Sequence, residues 1–235
     1  MKRGIFVAPF GELADVRVLA ELAAAAEAKG WDGFFVWDHV RYSPPDLPVA
    51  DPWIALTAVA LATERVRIGP LVTPLSRRRP HKLARETITL DRLSGGRLVL
   101  GAGLGSDNHG EFEDFEEVVE PRERARLLDA GLARLEEHWR DFAPGPAQQP
   151  RIPVWIAARW PNRRPVRRAA RWDGLFPIDL PGPEALAELR AEVDGDLIVT
   201  NPPGTDLEPW ARAGATWCLT GFGSQPTRAE VESAL

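Results

Sequence analysis

Asp38 and His39 stand side by side after the apolar run Gly33-Phe34-Phe35-Val36-Trp37. Histidine titrates near neutrality, so His39 is the best single candidate for proton transfer or for a hydrogen bond to a ligand. The alternative is a structural histidine bonded to a neighbouring loop. His81 reads as structural or phosphate-facing, His138 as solvated, and His109, in an acidic loop, fits either role. Two basic clusters follow other apolar runs: Arg77, Arg78, Arg79 and Lys82, then Arg159, Arg163, Arg164, Arg167 and Arg168. Arginine early in a helix opposes the helix dipole, so two such clusters favour an anionic ligand over solvated helix ends. The run Gly101-Ala102-Gly103-Leu104-Gly105 has its third glycine too early for a dinucleotide fingerprint. It fits close backbone approach to a flat or phosphorylated ligand, or a tight strand exit.

The elements that carry these residues alternate regularly. Apolar strand-like runs occur at 4–8, 32–37, 66–74, 97–105, 153–157, 174–178, 196–200 and 216–220. Helical patterns separate them, with Asp15 and Asp51-Pro52 as N-terminal signals and Gly30 and Gly95-Gly96 as stops. Parallel strands need such crossovers. Eight strand-helix units predict an α/β fold, a (β/α)8 TIM barrel with a trimmed C-terminal half, over a single domain 1–235. The proline-rich stretch 142–150 reads as a loop, because the same pattern resumes after it. An open doubly wound sheet would carry its glycine fingerprint after the first strand, where Ala8-Pro9-Phe10-Gly11 stands instead. Barrel sites form at strand C-termini. That rule selects Asp38 and His39; Leu71, Val72 and Thr73 with the arginines beyond, Arg78 among them; Gly103, Gly105 and Ser106; Ala158 and Arg159; and Asn201 with Gly204.

Composition narrows the partners. The 235 residues are 44% hydrophobic and 27% charged with net charge -5, so a globally basic nucleic-acid footprint is missing. One cysteine, Cys218, excludes an internal disulfide framework and a multi-cysteine metal site. The N-terminus reaches Pro9 and Gly11 too soon for a signal-peptide core, and no apolar run is long enough for a membrane span, so a cytoplasmic protein is expected. A barrel metal hydrolase would want an H-x-H pair after the first strand, and none is there; no metal is expected.

Several stretches together resemble the bacterial luciferase-like superfamily of flavin- or deazaflavin-dependent oxidoreductases. They are the segment Ala28 to His39, Asp51-Pro52-Trp53, Arg67-Ile68-Gly69 through Thr73-Pro74-Leu75, Leu90 to Arg97, and glycines 101, 103 and 105. The resemblance is strong over the first half and lies mainly in element order over the second. It implies FMN or the deazaflavin coenzyme F-420, with its ring at the strand C-termini. It also implies a non-proline cis peptide at Leu71-Val72 behind that ring. Asp38-His39 matches a pair found in deazaflavin members, and Arg159 would compensate for bulk at Ala157-Ala158, where the family places glycines round the phosphate. The sugar-phosphate dehydrogenase branch has a glutamate where this chain has Ser106. The implied activity is that of an oxidoreductase, monooxygenases included, on a small organic substrate. A nicotinamide donor or a separate reductase would supply electrons, and a homodimer is implied. A non-catalytic flavin-binding protein of the same fold is the rival.

Overall fold

A computed structural model describes residues 1–43 and 46–235; the expected loop 41–50 includes Pro44 and Pro45, which lie outside the described residues. The first half alternates β1 (Lys2–Val7), α1 (Val16–Ala28), β2 (Gly33–Val36), α2 (Pro52–Ala62), β3 (Arg67–Pro70), β4 (Thr73–Pro74), α3 (Pro80–Leu93), β5 (Leu100–Gly103) and α4 (Pro121–Asp141). The second half runs β6 (Val154–Arg159), α5 (Arg163–Ala169), β7 (Gly174–Ile178), α6 (Pro183–Arg190), β8 (Asp196–Asn201), α7 (Glu208–Arg212), β9 (Trp217–Gly221) and α8 (Arg228–Ala234). The start signals act as expected. The Asp15 carboxylate accepts from the Arg17 N–H, Asp51 accepts from Trp53 and Ile54, and Thr227 with Glu230 forms a capping box.

All strands are parallel, in the order β3-β2-β1-β9-β8-β7-β6-β5-β4. The two terminal members are consecutive pieces of one strand, interrupted at Leu71-Val72, whose peptide bond is cis. The third expected strand is therefore observed as two, β3 pairing with β2 and β4 with β5. A parallel bridge, Ile68 to Leu98, joins β3 to the residues leading into β5, with the Val99 N–H donating to the Ile68 carbonyl at 2.8 Å. The sheet thus forms a nearly closed (β/α)8 barrel. Its trimming is visible in helix length: α1 to α4 have 13, 11, 14 and 21 residues, α5 to α8 only 7, 8, 5 and 7.

Strand alternation divides the apolar residues into two cores. Ile5, Val7, Phe34, Val36, Val154 and Ile156 face the helices. Phe6, Phe35, Leu71, Trp155, Phe176 and Trp217 face inward. Phe35, Trp155 and Trp217 meet with ring centroids 5.3–5.8 Å apart, filling the barrel interior. The stretch 142–150 is held against the barrel: the Asp91 carboxylate accepts from Ala147 N, Gln148 N and Gln148 Nε2 at 2.7–3.0 Å.

Candidate active site

A cavity of about 810 Å³ opens at the C-terminal ends of the strands. Its apolar wall comes from Phe6, Trp37, Leu71, Val72, Phe176 and Trp210, and its polar groups include His39, Ser106, Arg159 and Asn162. Beside it, Leu71 and Val72 fill the space that two glycines leave. A Cβ on Gly101 would stand 2.3 Å from the Pro70 carbonyl oxygen and 2.5 Å from Leu71 Cδ2, and one on Gly103 would stand 3.0 Å from Val72 Cγ2. Gly105, at φ +70°, packs against Pro74 and Phe112. The glycine run therefore makes room for the interrupted strand and its exit, the tight-exit half of the two sequence readings.

Period-two alternation continues past β2, since the Trp37 N–H still donates to the Val7 carbonyl at 3.1 Å. Trp37 and His39 turn to the cavity, and between them the Asp38 carboxylate is fully buried at its edge, bonded to neighbouring side chains. Asp38 accepts from Thr73 Oγ1 at 2.8 Å, from Arg78 Nη2 at 2.7 and 2.9 Å, and from Arg77 Nη2 at 3.2 Å. It does not touch His39. The acid that does is Glu111, whose Oε2 lies 2.6 Å from His39 Nδ1. Glu111 Oε1 accepts from the Val40 N–H at 2.8 Å and from Arg77 Nη1 at 2.7 Å. Burial pushes the Glu111 carboxyl up, but the hydrogen bond and charge of His39, then the charge and hydrogen bond of Arg77, outweigh it and hold it at about 2. The His39 side chain is 19% exposed, and among the described residues its Nε2 has no hydrogen-bond partner.

Glu111 sits on the loop between β5 and α4, which is tied to the loop after β2. Arg41 pairs with Asp114, His109 Nδ1 bonds the Ser43 carbonyl at 2.8 Å, and the His109 ring stacks on Tyr42 at 3.8 Å. Phe112, fully buried beneath the Arg124 guanidinium at 4.6 Å, anchors the loop. Sequence reasoning missed Glu111 because it is one acid among seven between Asp107 and Glu120. A charge count held the only signal: Arg77 and Arg78 together need more than the single carboxylate of Asp38.

The expected site residues therefore separate. His39, Asp38, Leu71, Val72, Gly105, Ser106 and Arg159 border the cavity. Thr73 and Arg78 lie behind it, on Asp38. Gly103 lies under Val72, and Ala158 faces the helices, one residue out of phase; Ala157 lines the cavity instead. The basic clusters are largely neutralised from within. Arg77 and Arg78 pair with Asp38 and Glu111, Lys82 with Glu86, Arg159 with Asp179, Arg163 with Glu188 and Glu192, and Arg168 with Asp129. Their position on this face is as expected, but their charge does not by itself call for an anion. Among the described residues no group of three or more His, Cys, Asp or Glu side chains is gathered to hold a metal ion.

What this arrangement offers is an apolar slot for a flat ring and one imidazole held by a carboxylate at its edge. Related proteins share the frame. Residues 1–213 match the family model for luciferase-like monooxygenases. An F-420-dependent glucose-6-phosphate dehydrogenase of Nakamurella multipartita is 35% identical over 131 residues, covering 52% of this chain and 36% of that one. A candidate coenzyme F-420-dependent oxidoreductase of Mycobacterium tuberculosis is 41% identical over 193 residues, covering 78% of this chain and 51% of the other. The chain thus spans between a third and about half of the length of these two relatives. Among solved structures, an F-420-dependent secondary alcohol dehydrogenase in complex with an F-420-acetone adduct superposes with TM-score 0.77 at 16% identity, covering 100% of this chain and 98% of that one. The monooxygenase RslO1 from Streptomyces bottropensis superposes at 0.74 and 19% identity, covering 100% and 96%. These likenesses are of fold. With the barrel, the interrupted third strand and the family match over most of its length, the chain belongs to the luciferase-like monooxygenase family.

Proposed function

We propose that residues 1–235 act as one domain, a flavin- or deazaflavin-dependent oxidoreductase on a small organic substrate, with monooxygenase chemistry within its range. The observation that carries this reading is His39 Nε2, without a partner among the described residues, on the wall of a largely apolar cavity at the strand C-termini. The residues fit a ring cofactor: Leu71 and Val72 offer a flat apolar surface, His39 a polar edge, and Arg159 with Asn162 a rim for phosphate. FMN or F-420, when bound, would supply the hydride or oxygen chemistry. The chain's own part is to orient the ring, exclude water with Trp37, Phe176 and Trp210, and hold or move a proton at His39 Nε2. Electrons would come from a nicotinamide donor or a separate reductase. The relatives named for F-420 favour the deazaflavin.

The test is a titration of the purified protein with FMN and with F-420, followed by absorption. Micromolar binding of either is the expected result; binding of neither would sink the reading. The same reading places the chain in the cytoplasm as a homodimer. No helix among the described residues is long and apolar enough to cross a membrane. Helix α2 is apolar all round and leaves Ile54 and Leu61 63% and 71% exposed, a face suited to a second copy. Sedimentation equilibrium showing only monomer at micromolar concentration would remove the dimer.

A further inference from the structure

The two oxygens of Glu111 have different partners. Oε1 receives the Val40 N–H and an Arg77 Nη1–H, and neither group can accept a hydrogen bond. Oε2 faces His39 Nδ1 at 2.6 Å. An ionised carboxylate only accepts, and Arg77 beside it favours the ionised form. The hydrogen of that short contact must then come from the imidazole. Asp38 cannot serve, since Thr73, Arg77 and Arg78 occupy its oxygens. The other rings round His39, those of Phe10, Trp37, Tyr42 and His109, lie with centroids 5.5–6.1 Å away and give no contact to Nδ1.

We propose that Glu111 is a positioning residue that fixes the hydrogen of the neutral His39 ring on Nδ1, so that Nε2 meets the cavity's ligand as a proton acceptor. What Nε2 then meets rests on the function proposed above; the tautomer is a property of the ligand-free chain. The partners on Oε1 also dictate what an isosteric change would do. In Glu111→Gln the Val40 N–H and Arg77 still require an acceptor at that position. The amide oxygen stays there, and the NH2 is turned toward His39. An NH2 can only donate. Nδ1 must then accept, and the ring hydrogen moves to Nε2. A substitution that conserves shape inverts the proton's position.

The experiment is nitrogen NMR on the cofactor-free 235-residue chain labelled with 15N-histidine, above the histidine titration range at about pH 8.5. The chain has four histidines, so loss of one signal set in His39→Gln assigns the ring. The expected spectra show Nδ1 protonated in the wild type and Nε2 protonated in Glu111→Gln. A wild-type ring protonated on Nε2, or averaged between the tautomers, overturns the proposal, and so does the same tautomer in both proteins. The wild-type spectrum decides alone if the variant does not fold. Because no cofactor is present, a failed FMN or F-420 titration leaves this result standing, and the two failures are told apart.

Discussion

Arg97 at one end of the third barrel strand and the part-buried pair Arg77 and Arg78 at the other are satisfied in opposite ways. Arg97, before β5, has no carboxylate within ion-pair distance among the described residues. Its Nε donates to the Ser94 carbonyl, Nη1 to Thr63 Oγ1 and the Val66 carbonyl, and Nη2 to the carbonyls of Ala60 and Thr63, all at 2.7–3.0 Å. All of its N–H groups are used, on neutral oxygens from the end of α2, the turn after α3 and the residue before β3. At the other end, Arg77 and Arg78 bind the carboxylates of Asp38 and Glu111, and their Nε atoms have no partner among the described residues. The closed arrangement stabilises the frame, and its direct partners are oxygens that do not titrate. The open one holds charge in balance beside a cavity and transmits it to a histidine. This is the division expected of a barrel whose N-terminal face serves stability and whose C-terminal face serves chemistry.

The largest effect belongs to the closed site. Arg97→Ala strands several buried carbonyls and leaves a cavity, and it should cost about 3–5 kcal/mol. In a chain of this size that lowers the melting temperature on the order of 10 °C. Arg97→Lys should recover little, since one ammonium cannot span the same fork. Calorimetry checks both, and a small loss for Arg97→Ala would break the comparison.

Acid separates the two ends next. Glu111 has its carboxyl lowered from an ordinary 4.5 to about 2. A depressed acid contributes stability that is present above its unfolded value and lost as pH falls through its folded one. Wild-type stability should therefore decline between about pH 4.5 and 2, with Glu111 supplying up to about 3 kcal/mol of that decline. Urea midpoints of wild type and Glu111→Gln should converge over this window, while those of wild type and Arg97→Ala stay parallel. Parallel curves for Glu111→Gln would show that the carboxylate is not held as described.

The smallest effect lies at the cavity rim. Arg159 is 60% exposed and paired with a similarly exposed Asp179, so Arg159→Ala should change stability by about 0–1 kcal/mol. On the proposed function it should weaken cofactor binding about tenfold, or 1.4 kcal/mol, and added salt should narrow that gap. Titration at two salt concentrations measures it; equal dissociation constants would leave Arg159 as a surface charge.

The frame was legible in the sequence because it is written locally. Period-two apolar runs, Asp15 and Asp51 as caps, and the Gly95-Gly96 stop each act within a few residues. His39 was legible too, as a polar residue past a strand's end. Its partner was not. Asp38 is adjacent to His39 in the chain, but alternation sends neighbouring side chains to opposite faces, and Glu111 arrives from 72 residues away. The same geometry explains Ala158, one step out of phase with the cavity. The arginine clusters were visible as charge, whereas the acids that neutralise them come from distant elements such as Asp129 on α4 and Glu188 on α6. Charge balance in a fold is a property of three dimensions and leaves little trace in one.

The ties between the loops after β2 and β5 have a further consequence. Besides their own anchors, the two loops are tied to each other through Glu111 on Val40 and His39, Asp114 on Arg41, and His109 on Ser43 and Tyr42. Releasing one removes the support of its partner, so the mouth of the barrel behaves as a single cooperative opening unit. Amide hydrogens at Val40 and Phe112, although 72 positions apart, should exchange with solvent at one shared opening free energy, below that of the strands underneath.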